Sequence, residues 1–122
     1  MYVDRVQIII VGRITVDPAR RDDLLAAIAP LVRGTREDEP GCHEYAFMAD
    51  SLEADRVVVV ERWSDEASLA AHFEHPNFLG TKSALRANGS GASSISKYRV
   101  DLEEPVRDAE NRYRADFFTD VS

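Results

Sequence analysis

The stretch RVVVVERWSDEASLAAHFEHPNF, Arg56–Phe78, decides the organisation of this chain. Its first part is rich in valine and predicts a strand whose alternation puts every second side chain on one face, namely Val57, Val59, Glu61 and Trp63. Ser64 then predicts the cap of a helix that runs to about Glu74. The inward stripe of that helix comprises Leu69, His72 and Phe73. One strand end and one helix therefore bring an acid, an indole and an imidazole close together.

The N-terminal stretch Val6–Val16 predicts a first strand, because it is rich in β-branched residues. Both of its faces are apolar in the middle, which predicts that both are covered and suggests a partner subunit. Gly12 in its interior predicts a bulge or a close approach of another group to the backbone.

A helix is predicted after this strand, with Asp17 as its cap and Pro18 at the first helical position. Its apolar residues recur at three- and four-residue spacing, and the helix is expected to end near Glu37. Pro30 lies inside the pattern and predicts a bent or broken helix near Ala26–Ala29.

Further elements complete the pattern: a strand Cys42–Ala49, a second helical piece Asn77–Arg86 and a strand Ile95–Val100. The order is strand, helix, strand, strand, helix, strand. This order predicts an α+β protein of ferredoxin-like, split βαβ fold with an antiparallel sheet. The remaining Asp101–Ser122 is charged and only sparsely apolar, so we expect an extension that is disordered alone or docks on a neighbouring subunit.

Composition excludes several classes of function. With 122 residues the chain fits one domain, and its net charge of −7 argues against binding a nucleic-acid backbone. No apolar run approaches the ~20 residues of a membrane span, so we expect no membrane partner. The single Cys42 excludes an internal disulfide and fits a cytoplasmic location.

The candidate site centres on His72, which can accept or donate a proton near neutral pH. Glu61 is predicted to be buried and to need a partner, which is His72, Arg13 or the backbone amides of a loop. Trp63 and Phe73 are suited to stacking on a planar aromatic ligand. The alternative interpretation is ordinary core packing. The histidines have no recognised metal spacing, and we expect no metal.

Taken together, these residues resemble the antibiotic biosynthesis monooxygenase family, which includes quinol monooxygenases. The likeness lies in three stretches and covers roughly residues 6–100: Thr35–Tyr45 (TREDEPGCHEY), Val60–Trp63 (VERW) and Asp65–Phe73 (DEASLAAHF). The resemblance does not extend to the tail, so we expect one domain over residues 1–101 and a C-terminal extension over residues 102–122 that docks on the partner subunit. The resemblance implies a homodimer, assembled as a dimeric α/β barrel.

For function, the resemblance implies oxygenation of a small aromatic quinol or phenol by O₂ without metal, flavin or other cofactor. His72 and Glu61 are the implied catalytic residues, with Trp63, Tyr45 and Phe73 binding substrate. A non-catalytic dimeric module for ligand binding or stress response is the alternative. A haem-degrading protein is a weaker one, because Gly12 stands where haem-degrading relatives have an asparagine.

Overall fold

The computed structural model describes residues 2–119, and its elements follow the predicted order. They are β1 (Tyr2–Thr15), α1 (Arg21–Asp38), β2 (Cys42–Ala49), β3 (Arg56–Trp63), α2 (Glu66–Glu74), α3 (Pro76–Ala87) and β4 (Ser93–Leu102). The four strands form one open antiparallel sheet in the order β2-β3-β1-β4. This confirms the predicted ferredoxin-like α+β fold. The dimeric barrel assembly stays a prediction.

The core lies on one face of the sheet, where alternation along β3 buries every second residue from Val57 to Trp63, as predicted. In β1 the even-numbered residues Ile8, Ile10 and Ile14 are buried on the same side. The opposite face is open in the single chain, since Val11 on β1 and Tyr98 on β4 are 41% and 55% exposed. Within one chain β1 is therefore covered on one side, and coverage of its other side by a partner subunit stays a prediction.

Gly12 is explained by its neighbour β4. A Cβ at this position would overlap the backbone of Ser94 and Ile95. Gly12 pairs in register with Val59 and with Ile95, so no bulge occurs there. The predicted close approach is confirmed, and it leaves no room for a side chain at this point of β1.

Both predicted helix caps are wrong. α1 begins at Arg21 rather than at Pro18, because Asp17 accepts a hydrogen bond from the Ala19 amide (2.9 Å) and forms a turn before the helix. α2 is capped by Asp65, whose Oδ1 accepts from the Ser68 amide at 2.8 Å.

Pro30 lies inside the continuous helix α1, so the predicted break does not occur. A proline removes only its own N–H from the helix ladder. The rest of α1 contributes the buried residues Leu24, Ile28 and Thr35 to the core, and this packing offsets the lost hydrogen bond.

The C-terminal arm, residues 103–119, forms an ordered hairpin around Asp108. The Oδ1 of Asp108 accepts from the backbone N–H groups of Glu110 and Arg112, and its Oδ2 accepts from the side chains of Arg112 and Arg114. An isolated bridge pairs Arg107 with Tyr113. Residues 103–119 are thus hydrogen-bonded among themselves, and docking of the extension on a second subunit stays a prediction.

Candidate active site

Glu61 and Trp63 form a buried pair at the end of β3. The Nε1–H of Trp63 donates to the Oε1 of Glu61 at 2.9 Å. Trp63 is 0% exposed and Glu61 is 8% exposed. The partner of Glu61 is therefore the indole rather than His72, Arg13 or loop amides, so the three expected partners were wrong. Burial raises the pKa of Glu61, the Trp63 hydrogen bond lowers it in part, and the charge of Glu39 raises it further.

Glu39 is the carboxylate that orients His72. The Nδ1 of His72 lies 2.7 Å from the Oε1 of Glu39, and the two side chains are 0% and 4% exposed. The other carboxylate oxygen of Glu39 accepts from the side-chain amide of Asn77 at 3.2 Å. The carboxylate that bonds to the imidazole is thus Glu39, directly after α1, rather than Glu61.

A tight turn after α1 places Glu39 against α2. Gly41 has φ of +83°, and a Cβ there would overlap the side chain of Ser68. The turn is also tied to the end of β3, because the Ser64 amide donates to the Gly41 carbonyl at 2.8 Å. Glycine at this position therefore allows the turn and α2 to approach closely enough for the carboxylate to reach the imidazole.

The sequence did carry a signal for Glu39. The C-terminal end of a helix favours cations, so an acid there is unfavourable unless it has a partner. Glu37 and Asp38 at the same end are exposed, whereas Glu39 is buried. A buried acid at this position requires a donor, and only the fold brings that donor from 33 residues away.

The electrostatics of this pair fix the tautomer of His72. Burial lowers the pKa of His72, and the hydrogen bond and charge of Glu39 raise it only in part. Burial would raise the pKa of Glu39, but hydrogen bonds from His72, Thr35 and Asn77 leave it lowered. At neutral pH Glu39 is thus a carboxylate and His72 a neutral imidazole whose proton is assigned to Nδ1.

The other nitrogen of this imidazole, Nε2, is buried and has no hydrogen-bond partner within the described part of the chain. Buried polar atoms are normally paired, so an unpaired one marks a position where a ligand or water can bind. In the Nδ1–H tautomer, Nε2 carries the lone pair and is the basic atom of the ring.

Aromatic rings surround His72. The ring centroids of Trp63, Tyr45 and Phe78 lie 4.6, 5.0 and 5.1 Å from that of the imidazole. Phe73 lies at 5.9 Å and is 45% exposed, so its predicted inward position is wrong. Sequence reasoning missed Phe78, which follows the His75-Pro76 helix break and returns to the site from α3.

A cavity of about 300 Å³ lies between the sheet and α3. Of the predicted site residues, Tyr45 and Glu61 line it, whereas Trp63, His72 and Phe73 do not. Phe78 also lines the cavity, so Tyr45 and Phe78 contact both the cavity and the imidazole. The remaining lining is mostly apolar, with Lys82 and Arg86 among its polar members. An apolar cavity with a few polar groups is typical of small-molecule sites.

Two reactive groups near the cavity are held in their protonated forms. Burial raises the pKa of Tyr45, and the charges of Glu61 and Glu39 raise it further. Burial also raises the pKa of Cys42 to about 11, with Glu39 and Glu61 adding to the effect. Neither a phenolate nor a thiolate is therefore available here at neutral pH.

Among the described residues, no group of three or more His, Cys, Asp and Glu side chains stands where it could hold a metal ion. Over the same residues, no helix combines the length and the apolar character needed to cross a membrane.

The fold and the site together define a small ferredoxin-like protein with an aromatic-walled cavity beside a buried carboxylate–imidazole pair. The sequence model of the family described as Antibiotic biosynthesis monooxygenase matches residues 7–84. The chain belongs to this family, as its resemblance predicted. Membership confirms the predicted enzyme class, a monooxygenase type of oxidoreductase.

Curated relatives and solved structures agree with this assignment. The chain is 32% identical over 73 residues to the monooxygenase-named YcnE of Bacillus subtilis, covering 60% of this chain and 76% of YcnE. It is 32% identical over 74 residues to the probable quinol monooxygenase YgiN of Escherichia coli K12, covering 54% of this chain and 67% of YgiN.

In structure, the chain is similar to two proteins described as antibiotic biosynthesis monooxygenases, from Deinococcus radiodurans and Caulobacter crescentus. The match to the first protein has a TM-score of 0.73 at 18% sequence identity, and it covers 83% of this chain and 99% of that protein. The second has a TM-score of 0.72 at 23% identity, with coverage of 82% and 92%. These similarities establish the fold.

Proposed function

We propose that this protein is a cofactor-independent monooxygenase that oxidises a small aromatic quinol or phenol with O₂. For a quinol, one oxygen atom enters the ring and the other leaves as water, giving a hydroxyquinone. The substrate supplies the electrons for both changes. The name of YgiN, a relative at 32% identity, supports a quinol as the substrate class.

The observation that carries this proposal is the unpartnered Nε2 of His72, fixed as a lone-pair acceptor by Glu39 on the other side of the ring. A phenol or quinol reacts with O₂ far more readily as its anion, so the first requirement is a base. His72 takes the hydroxyl proton at Nε2, and the imidazolium that forms is stabilised by the Glu39 carboxylate.

Access to this base involves Phe78. His72 is 1% exposed and does not line the cavity, whereas Phe78 contacts the imidazole at 5.1 Å and lines the cavity. We expect Phe78 to change rotamer when substrate enters, which brings the hydroxyl within reach of Nε2. The aromatic walls then exclude water from the electron-rich anion.

The other predicted residues have supporting roles in the proposal. Glu61 lines the cavity and holds the Trp63 indole, so it shapes the wall nearest the base and is a second candidate proton acceptor. Tyr45 is the aromatic surface for the substrate ring. Phe73 is half-exposed, and its ring centroid lies 5.2 Å from that of Phe78. Phe73 therefore contacts the substrate only when the Phe78 side chain moves.

A cytoplasmic homodimer is part of the proposal. The open sheet face with Val11 and Tyr98 is suited to a second copy of the sheet, and burying it would stabilise the assembly through the hydrophobic effect. The arm, with Tyr113 79% and Phe117 71% exposed, is proposed to dock on that second subunit.

Oxygen uptake with a panel of quinols tests the function. We expect His72→Ala to reduce kcat/KM by about 10²–10⁴-fold, the usual contribution of a general base. His43→Ala is the matched control, because His43 is exposed and its Nε2 lies 2.7 Å from the Ser64 hydroxyl rather than in the site. Equal rates for wild type and His72→Ala would remove His72 from the mechanism. Quenching of Trp63 fluorescence by a quinol with no oxygen uptake would favour a non-catalytic binding module.

A further inference from the structure

Two cations stand together where α3 meets the cavity. Lys82 and Arg86 are exposed, line the cavity, and are one helical turn apart, which places their Cα atoms about 6 Å from each other. The Nζ of Lys82 lies over the Phe78 ring at 5.4 Å from its centroid. The charge of Lys82 is thus next to the aromatic wall that separates the cavity from His72, and Arg86 follows it one turn along α3.

Neither cation is neutralised within the described part of the chain, where no ion pair joins Lys82 or Arg86 to an acid. By contrast, Arg112 and Arg114 in the arm are each paired with two acids. In a chain of net charge −7, two adjacent unpaired cations at a cavity produce a local positive potential.

The carboxylate of the cavity and these cations come from opposite walls, since Glu61 belongs to the sheet and the cations belong to α3. Glu61 is 8% exposed and bonded to Trp63 on β3, whereas Lys82 and Arg86 are on the exposed side of α3. A ligand with one anionic end is therefore favoured in one orientation, because the cations attract that end and Glu61 repels it. The uncharged hydroxyl end is then directed towards the His72 side of the cavity.

We propose that the substrate is an aromatic quinol or phenol that bears an anionic group, such as a carboxylate, held by Lys82 and Arg86. This inference rests on the proposed function and adds the substrate's charge to it. The two side chains bind the anion by charge-assisted hydrogen bonds. The ring lies against Tyr45 and Phe78, whose position beside the imidazole couples anion binding to the placement of the reacting hydroxyl.

The test compares 2,5-dihydroxybenzoate with methylhydroquinone, two quinols that differ by a carboxylate in place of a methyl group. Oxygen uptake is measured for wild type, for Lys82→Gln/Arg86→Gln, and for Lys97→Gln/Arg99→Gln, which removes the same charges from β4 outside this cavity. Comparing each substrate across variants cancels the intrinsic difference in reactivity between the two quinols.

We expect Lys82→Gln/Arg86→Gln to reduce kcat/KM for the carboxylate by about tenfold at low salt, the scale of two exposed charge contacts. The methyl compound should change less than about twofold, and the wild-type advantage for the carboxylate should fall as salt is raised. Equal losses for both substrates, or for both double variants, would overturn the inference and leave the proposed function standing.

Binding provides the separate arm of the test. If neither quinol is oxidised, the proposed function fails, and Trp63 fluorescence then measures the Kd of 2,5-dihydroxybenzoate directly. A Kd that rises about tenfold in Lys82→Gln/Arg86→Gln but not in Lys97→Gln/Arg99→Gln supports an anion-binding cavity. A Kd unchanged by removal of both cations, or no binding by wild type, would overturn the inference.

Discussion

Glu39 and Asp108 are two carboxylates that are equally hidden from solvent but bonded in opposite ways. Their side chains are 4% and 5% exposed. All four donors to Asp108 in the arm come from the six residues that follow it. Glu39 receives one hydrogen bond from the nearby Thr35, but its other donors are His72 and Asn77, which are 33 and 38 residues away. The first network closes a local turn, and the second connects α1 to α2 and α3.

The two regions also differ in what they leave unsatisfied. Beside Glu39 the unsatisfied atom is polar and inside the protein, the Nε2 of His72. In the arm the polar network is locally complete and the unsatisfied groups are apolar and outside, Val106, Tyr113 and Phe117, each at least 66% exposed. The site therefore offers a polar atom to a ligand, whereas the arm offers apolar side chains to another surface.

Among changes to these two carboxylates and to the arm, the largest effect is expected from Glu39→Gln, which removes the carboxylate that fixes the imidazole. We expect kcat to fall about 10- to 100-fold, because a neutral amide stabilises the imidazolium less well. Glu39 raises the pKa of His72, so its removal lowers that pKa further. The active base is the deprotonated imidazole, and the acid limb of kcat/KM, already below pH 6.5 in wild type, should move to lower pH.

A pH profile of kcat/KM for Glu39→Gln and for the control Asp38→Asn checks this result. Asp38 is exposed at the same helix end, so its profile should match wild type. An acid limb that moves to higher pH in Glu39→Gln, or does not move, would contradict the assignment of His72 as the base.

A smaller effect is expected from ending the chain after Asp101, which deletes the arm. If Tyr113 and Phe117 are buried against a second subunit, their loss should raise the dimer dissociation constant by at least about tenfold. Sedimentation at several concentrations measures this constant, and thermal melting measures stability. Tyr113→Ser/Phe117→Ser keeps the arm and should reproduce the effect. Unchanged dimer mass and melting temperature in both variants would rule out docking.

The smallest effect is expected from Asp108→Asn, which weakens the local network only. Hydrogen bonds, led by the Arg112 amide, lower the pKa of Asp108 below its usual 3.8. Its contribution to arm stability is therefore present above pH 3.8 and is lost as the pH falls through the lower folded value. We expect faster amide exchange in residues 103–119 at neutral pH, with exchange in α1 unchanged. Faster exchange in α1 as well would mean that the arm supports the whole fold.

Sequence reasoning succeeded where one periodicity governs the outcome. β3 alternates strictly between buried and half-buried positions, and a period of two is readable from eight residues. His72 was predicted correctly as inward, but its neighbour Phe73 was not. Adjacent helical positions point about 100° apart, so both cannot face the core equally. His72 is 1% exposed and Phe73 is 45% exposed, so His72 is the one that faces the core.

The errors concern partners that the sequence does not place side by side. Glu39 was missed because its donor lies on another element, and Glu61 was assigned to the wrong partner for the same reason. The Asp17 side chain can accept a backbone hydrogen bond either in a turn or at a helix cap, so the sequence does not distinguish the two. In this fold it accepts from Ala19 in a turn. The hairpin of the arm could have been predicted from the sequence, since the hydrogen bonds to Asp108 come from residues close to it in the chain.

The Glu39–Cys42 turn has a consequence for anyone who alters this protein by insertion. Short surface turns next to Pro-Gly are common choices for a peptide tag or a new chain terminus, because loops usually tolerate added length. Here Pro40 and Gly41 lead from Glu39 into β2, and Gly41 packs against Ser68 of α2, the helix that carries His72. A tag inserted at this position would leave a folded protein with its base unaligned, whereas the polar turn between β2 and β3 offers an alternative site.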